Sequence, residues 1–156
     1  MRTRLLLFSF LLLLTSVVAA QKITVKDNLV SVDQQPVFKL VDTNIPNAIT
    51  LYSLADQKLA VFTAFWYNDP RQITQGNPQG RVGYYEVTFL DPEMQQCEIR
   101  MIGLKKNLAQ LILNEQLVIN GQLATDKVHQ FCVINGKKYS EERQRNNGTT
   151  IIINNH

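Results

Sequence analysis

Histidine, cysteine and tryptophan are scarce in this 156-residue chain: two, two and one, respectively. Acyl-transfer catalysis needs a nucleophile, a base and an orienting group within reach of one another. The histidines are His129 and the final residue, His156. Beyond residue 20 the serines are Ser31, Ser53 and Ser140, and none sits in the glycine-flanked elbow of a hydrolase. Closed zinc sites usually carry paired ligand spacings. The chain has a single His-x-x-Cys, His129 to Cys132, with Cys97 and Asp126 as the remaining candidate ligands. No metal and no cofactor is therefore expected. Acid pairs are equally thin: Asp91 and Glu93 flank Pro92, and Glu141-Glu142 lie in a charged segment. Such pairs are ordinarily solvated, whereas glycosidase chemistry sets them across a cleft.

Charge of one sign is also missing. The chain carries 16 basic and 13 acidic side chains. Two of the basic ones, Arg2 and Arg4, precede an apolar run from Leu5 to Leu14 and a small-residue end, Val18-Ala19-Ala20. That is the layout of a cleavable secretory signal over residues 1–20. The run is short for a membrane span of about 20 residues, and no cysteine follows the cleavage point to take a lipid. Cleavage would leave about 136 residues, enough for one domain, with a net charge of about +1. Nucleic acid is then a poor partner, because affinity for it rests on many phosphate contacts. Nothing downstream resembles a second span. The expected location is secreted or periplasmic.

What is present is a strand pattern followed by a helix pattern. "KITVK", "LVSV", "PVFKLVD" and "AITLYS" are short β-branched runs separated by Asp- and Asn-containing turns, the mark of an antiparallel meander. "KLAVFTAFWY", Lys58 to Tyr67, is apolar on both parities and predicts a central strand covered from both sides. "RVGYYEVTFL" and "QCEIRMI" alternate. After Met101 the period changes to 3.6, with Leu104, Leu108, Leu111 and Ile112 on one stripe. Asn120-Gly121 marks a tight turn. Thr125 is placed to cap a second helix from about Asp126 that stops at Asn135-Gly136. The expectation is an α+β fold: a meander of six or seven antiparallel strands, then two short amphipathic helices packed on it. One domain covers residues 21–140. Residues 141–156 read as a polar linker with "TTIII" as an edge strand or disordered tail, and Asn147-Gly148-Thr149 fits a glycosylation sequon.

"LVSVDQQPVFKL" with "SLADQKLAVF", and "LAQLILNEQLVINGQLATDKVHQFCVING", resemble segments of uncharacterised small secreted proteins of Bacteroidetes. Gln34-Gln35 stands where a glycine is common in that opening turn. The resemblance implies a bacterial periplasmic or surface location and no particular activity.

Two constellations remain. On a helical wheel Cys132 shares a stripe with Val128 and Phe131, while His129 falls on its flank. Cys97 shares strand parity with Ile99 and Met101. Both cysteines therefore face the layer between sheet and helix, and a disulfide between Cys97 and Cys132 is the first alternative, two buried thiols the second. The other constellation is the end of the long hairpin. Trp66, Tyr67, Asn68, Asp69 and Arg71 leave one strand, a 13-residue irregular segment from Asn68 to Gly80 follows, and Tyr84 begins the return. Rings beside amides and carboxylates suit a glycan or protein surface. The functional expectation is a non-enzymatic binding or assembly protein. A hydrolase or thiol-dependent enzyme with an unorthodox site, and a structural cell-envelope component, are the alternatives.

Overall fold

A computed structural model describes residues 22–43 and 47–147. The signal-like segment and the "TTIII" tail lie outside the described residues. Seven strands form one antiparallel sheet in sequence order: β1 (Ile23–Lys26), β2 (Leu29–Val32), β3 (Gln35–Asp42), β4 (Ala48–Tyr52), β5 (Lys58–Asn68), β6 (Arg81–Phe89) and β7 (Gln96–Arg100). Helix α1 (Lys105–Asn114) follows. A two-stranded hairpin, β8 (Val118–Ile119) and β9 (Gln122–Leu123), turns at Asn120-Gly121. Helices α2 (Thr125–Asn135) and α3 (Lys138–Asn147) complete the fold. The α+β class and the seven-strand meander agree with the sequence pattern. Among the described residues no helix is long and apolar enough to cross a membrane.

The first hairpins close on Asp27-Asn28 and Asp33-Gln34, all four at positive φ. Consecutive left-handed residues match the twist of the flanking strands in a two-residue turn. One sheet face carries Phe38, Leu40, Leu51, Phe62, Val87 and Ile99 against Leu108 and Ile112 of α1 and Val128 and Phe131 of α2. Phe131 meets Phe89 edge to face, with ring centroids 6.2 Å apart. Leu59 joins this core although its parity is odd, because β5 is bulged there: Leu51 pairs with Ala60 but Tyr52 with Lys58. A bulge re-aims the extra side chain.

Three sequence expectations are corrected. Leu104 is the cap of α1 rather than part of its buried stripe, and is 75% exposed. Ala124, not Thr125, caps α2, and no side chain serves its first turn. The segment from 141 is not a linker as far as Asn147: it belongs to α3. That helix packs against β5 and β7 on the sheet face opposite α1 and α2. Its inner stripe, Tyr139, Glu142, Arg143 and Asn146, has helical spacing but is polar and aromatic. A search for apolar periodicity passes over it.

Candidate functional site

The β5–β6 hairpin distributes its aromatics over two faces, because side chains alternate along a strand. The register pairs Phe65 with Tyr84, Trp66 with Gly83 and Tyr67 with Val82. Phe65, Tyr67 and Tyr84 therefore face α3, while Trp66 shares the face of Tyr85. The sequence expectation that Trp66, Tyr67 and Tyr84 gather in one place is not met.

On the α3 face, Tyr84 is completely buried. Its ring lies between those of Phe65 and Tyr139, at centroid distances of 5.7 and 5.5 Å and nearly parallel to both. Arg143 places its guanidinium 4.8 Å from the Phe65 ring and 5.7 Å from that of Tyr84. Cations are drawn to the negative ring face, most strongly where water is excluded. The Tyr67 hydroxyl donates to Glu142 at 2.8 Å. Burial, then the bond to Glu142, pushes the Tyr67 phenol well above its ordinary range. Burial pushes Tyr84 up to about 12, against an opposing pull from Arg143.

The loop beyond these strands is ordered. The Asp69 carboxylate accepts from both the backbone and the guanidinium of Arg71, and Arg71 holds its carboxyl below the usual range. Arg71 also reaches Glu142 at 3.5 Å. Asn77 bonds the Gln72 carbonyl and both backbone groups of Arg81. Gly80, at φ +61, lets the chain pass Asp69, since a Cβ there would fall 2.1 Å from the Asp69 carbonyl oxygen. Asn68 is exposed and its carbonyl accepts from Asn146. Thus Tyr67, Asp69 and Tyr84 are closed off in anchoring α3 and the loop, while Arg71 bridges Asp69 and Glu142 from an exposed position.

Trp66 is different. Its ring lies across Gly83, where a Cβ would come within 3.1 Å of the indole nitrogen and 3.2 Å of Met101 Sδ. A glycine opposite lets the indole lie along the sheet. The ring remains 37% exposed, and the Arg81 guanidinium sits 5.2 Å from its centroid. Two adjoining hollows of about 280 and 450 Å³ share Trp66 and Met101. The first is floored by Ala64, Ile49 and Tyr85 and edged by Asp42, Thr43 and Asn47. The second is edged by Asn77, Arg81 and Arg100. Asp42 is braced by Lys105 at 2.6 Å. This shelf has an apolar, aromatic floor, amides on both sides, a carboxylate at one end and the Arg81 guanidinium at the other. Sequence reading set Trp66 beside Asn77 and missed the other shelf residues. Once Asn68 is set opposite Arg81, hairpin register alone places Gly83 beneath the indole.

The cysteine constellation is also corrected in part. Both cysteines are free and not at disulfide distance, yet they lie near enough to influence each other. The hydrogen bond shared with Cys132, then burial, pushes the Cys97 thiol far above its ordinary range; the same bond draws Cys132 down. His129 stands exposed on α2. Among the described residues no group of three or more His, Cys, Asp or Glu side chains is gathered as a metal would need.

Comparison of the chain with protein-family models, with curated proteins and with solved structures found no match.

Proposed function

We propose that this is a secreted or periplasmic, non-enzymatic binding domain whose ligand is carbohydrate and whose binding surface is the Trp66 shelf. The observation that carries the reading is the partly exposed indole packed on Gly83, with hydrogen-bonding groups on both sides. A sugar ring offers a patch of C–H bonds to a flat aromatic face and hydroxyls to surrounding amides and charges. An aromatic platform with a few convergent polar groups fits that combination. Asp42 and Asn47 would receive hydroxyls on one side, and Asn77 and Arg81 on the other.

The secretion part rests on the residue 1–20 pattern and on the resemblance to small secreted bacterial proteins. Export would carry Cys97 and Cys132 into an oxidising compartment. There the facing thiols would close to a disulfide, losing two protons and passing two electrons to a disulfide oxidant of that compartment.

The test uses the chain's single tryptophan. A panel of neutral and acidic oligosaccharides is titrated against intrinsic fluorescence, with calorimetry on Trp66→Ala. Saturable change with at least one member, abolished in the variant, supports the reading. Binding that survives Trp66→Ala, or no binding across the panel, rejects it.

A further inference from the structure

At the other end of the sheet lies a larger cleft, of about 520 Å³. Its origin is a parting of two neighbouring strands. The β3–β4 ladder ends at Lys39 and Tyr52, yet β3 begins four residues earlier, at Gln35. Val37 is an extra residue in β3, since Val30 pairs with Phe38 and Ser31 with Pro36. The bulge turns Val37 toward the side Phe38 faces, and both line the cleft. Leu113 of α1 and Val118 of β8 complete an apolar floor. The walls are two hairpin tips: Ser53, Leu54, Ala55 and Gln57 on one side, Asn120 to Gln122 on the other.

Two features define an occupant. Among the described residues, no ionisable side chain lines the cleft. The nearest cation on β3, Lys39, is held by Asp56 at 2.7 Å. In addition, Ser53 is 4% exposed and its hydroxyl oxygen already accepts from the Gln57 amide at 3.1 Å. Its own proton has no acceptor among the described residues, and a buried hydroxyl that still has a proton to donate calls for one. The amides of Asn120 and Gln122 stand across from it on the opposite tip.

We infer that this cleft is a second binding site, separate from the Trp66 shelf, for an uncharged amphipathic small molecule: an apolar chain or ring system ending in a hydroxyl, ester or amide oxygen. The apolar body lies on Val37, Phe38, Leu113 and Val118, and the terminal oxygen accepts from Ser53. The volume is that of an ordinary small-molecule pocket. An ionised head group is disfavoured because its desolvation has no compensating charge.

The test uses Nile red, an uncharged fluorescent probe, with the purified protein. One saturable site is expected. 1-Decanol should displace the dye, and decanoate at pH 8 should do so about tenfold less well. Leu54→Asp and Gln122→Trp alter exposed rim positions, and each should weaken dye binding about tenfold with the unfolding temperature unchanged. Trp66→Ala should leave it intact. Non-saturating binding, equal competition by decanol and decanoate, or affinity unmoved in both rim variants would overturn the inference. Loss of dye binding in Trp66→Ala would show one site, not two.

Discussion

Tyr67 and Glu142 lie 75 residues apart in sequence and share a 2.8 Å hydrogen bond from phenol to carboxylate. That contact helps hold α3 over the aromatics that strand register places on its side of the hairpin. Tyr67 and Tyr84 are closed off beneath α3; Trp66, on the reverse face, is left open.

Alkali should loosen this closure. Burial pushes Tyr84 up to about 12 in the folded chain, from near 10 unfolded. A group with a raised folded value contributes its stability fully below the unfolded value and loses it as pH rises through the folded one. Stability should therefore be level up to about pH 9.5 and fall by on the order of 1–3 kcal/mol between pH 10 and 12. Tyr67, shifted in the same direction, adds to the fall. Urea midpoints at pH 9 and 11.5 measure this, and Tyr84→Phe should flatten the slope.

Glu98 should prove structural. It is 3% exposed, and its carboxylate accepts the backbone N–H groups of Tyr139 and Ser140 at 2.7 and 2.9 Å. A carboxylate at a helix start satisfies orphan donors and complements the positive helix end. Glu98→Ala should cost about 1–3 kcal/mol and raise amide exchange over 138–147 ahead of the sheet. Glu98→Gln, which keeps an acceptor, should cost less. Equal protection of α3 in Glu98→Ala would contradict the anchoring role.

Gln34 holds a left-handed conformation, φ +69, in the β2–β3 turn. A residue with a Cβ there is strained by about 1–2 kcal/mol. Glycine removes the strain but adds unfolded-state entropy. Gln34→Gly should therefore give a net gain of up to about 1 kcal/mol, seen as a rise of a few degrees in thermal midpoint.

Much of the framework was legible because it is built from local signals. Alternation in β5 to β7 and turn residues at Asp27-Asn28, Asp33-Gln34 and Asn120-Gly121 each act within a few residues. What escaped depends on contacts that no local pattern encodes. Arg143 packs against rings 59 and 78 positions earlier in the chain, Tyr84 and Phe65, and its helix carries no apolar stripe to announce burial. Glu98 alternates as a solvent-facing residue would, and is buried only because α3 arrives above it. For the site, Trp66 drew notice as the lone tryptophan, but Gly83, Met101 and Arg81 become neighbours through register and strand crossing.

The cysteines offer a redox prediction. A bond between Cys97 and Cys132 would close a loop of about 35 residues and contribute roughly 3–4 kcal/mol through the unfolded state. Protein exported to an oxidising compartment should show no titratable thiol after denaturation, and should gain two with reductant as its thermal midpoint falls. Two thiols in exported, unreduced protein would contradict the bond.

The most direct measurement is the emission of Trp66 during oligosaccharide titration, with calorimetry on Trp66→Ala alongside. The account predicts a saturable change with at least one sugar, and loss of its binding heat in the variant while the unfolding temperature holds. A sugar that binds with full heat in Trp66→Ala, or a panel that leaves the emission unmoved, would contradict it.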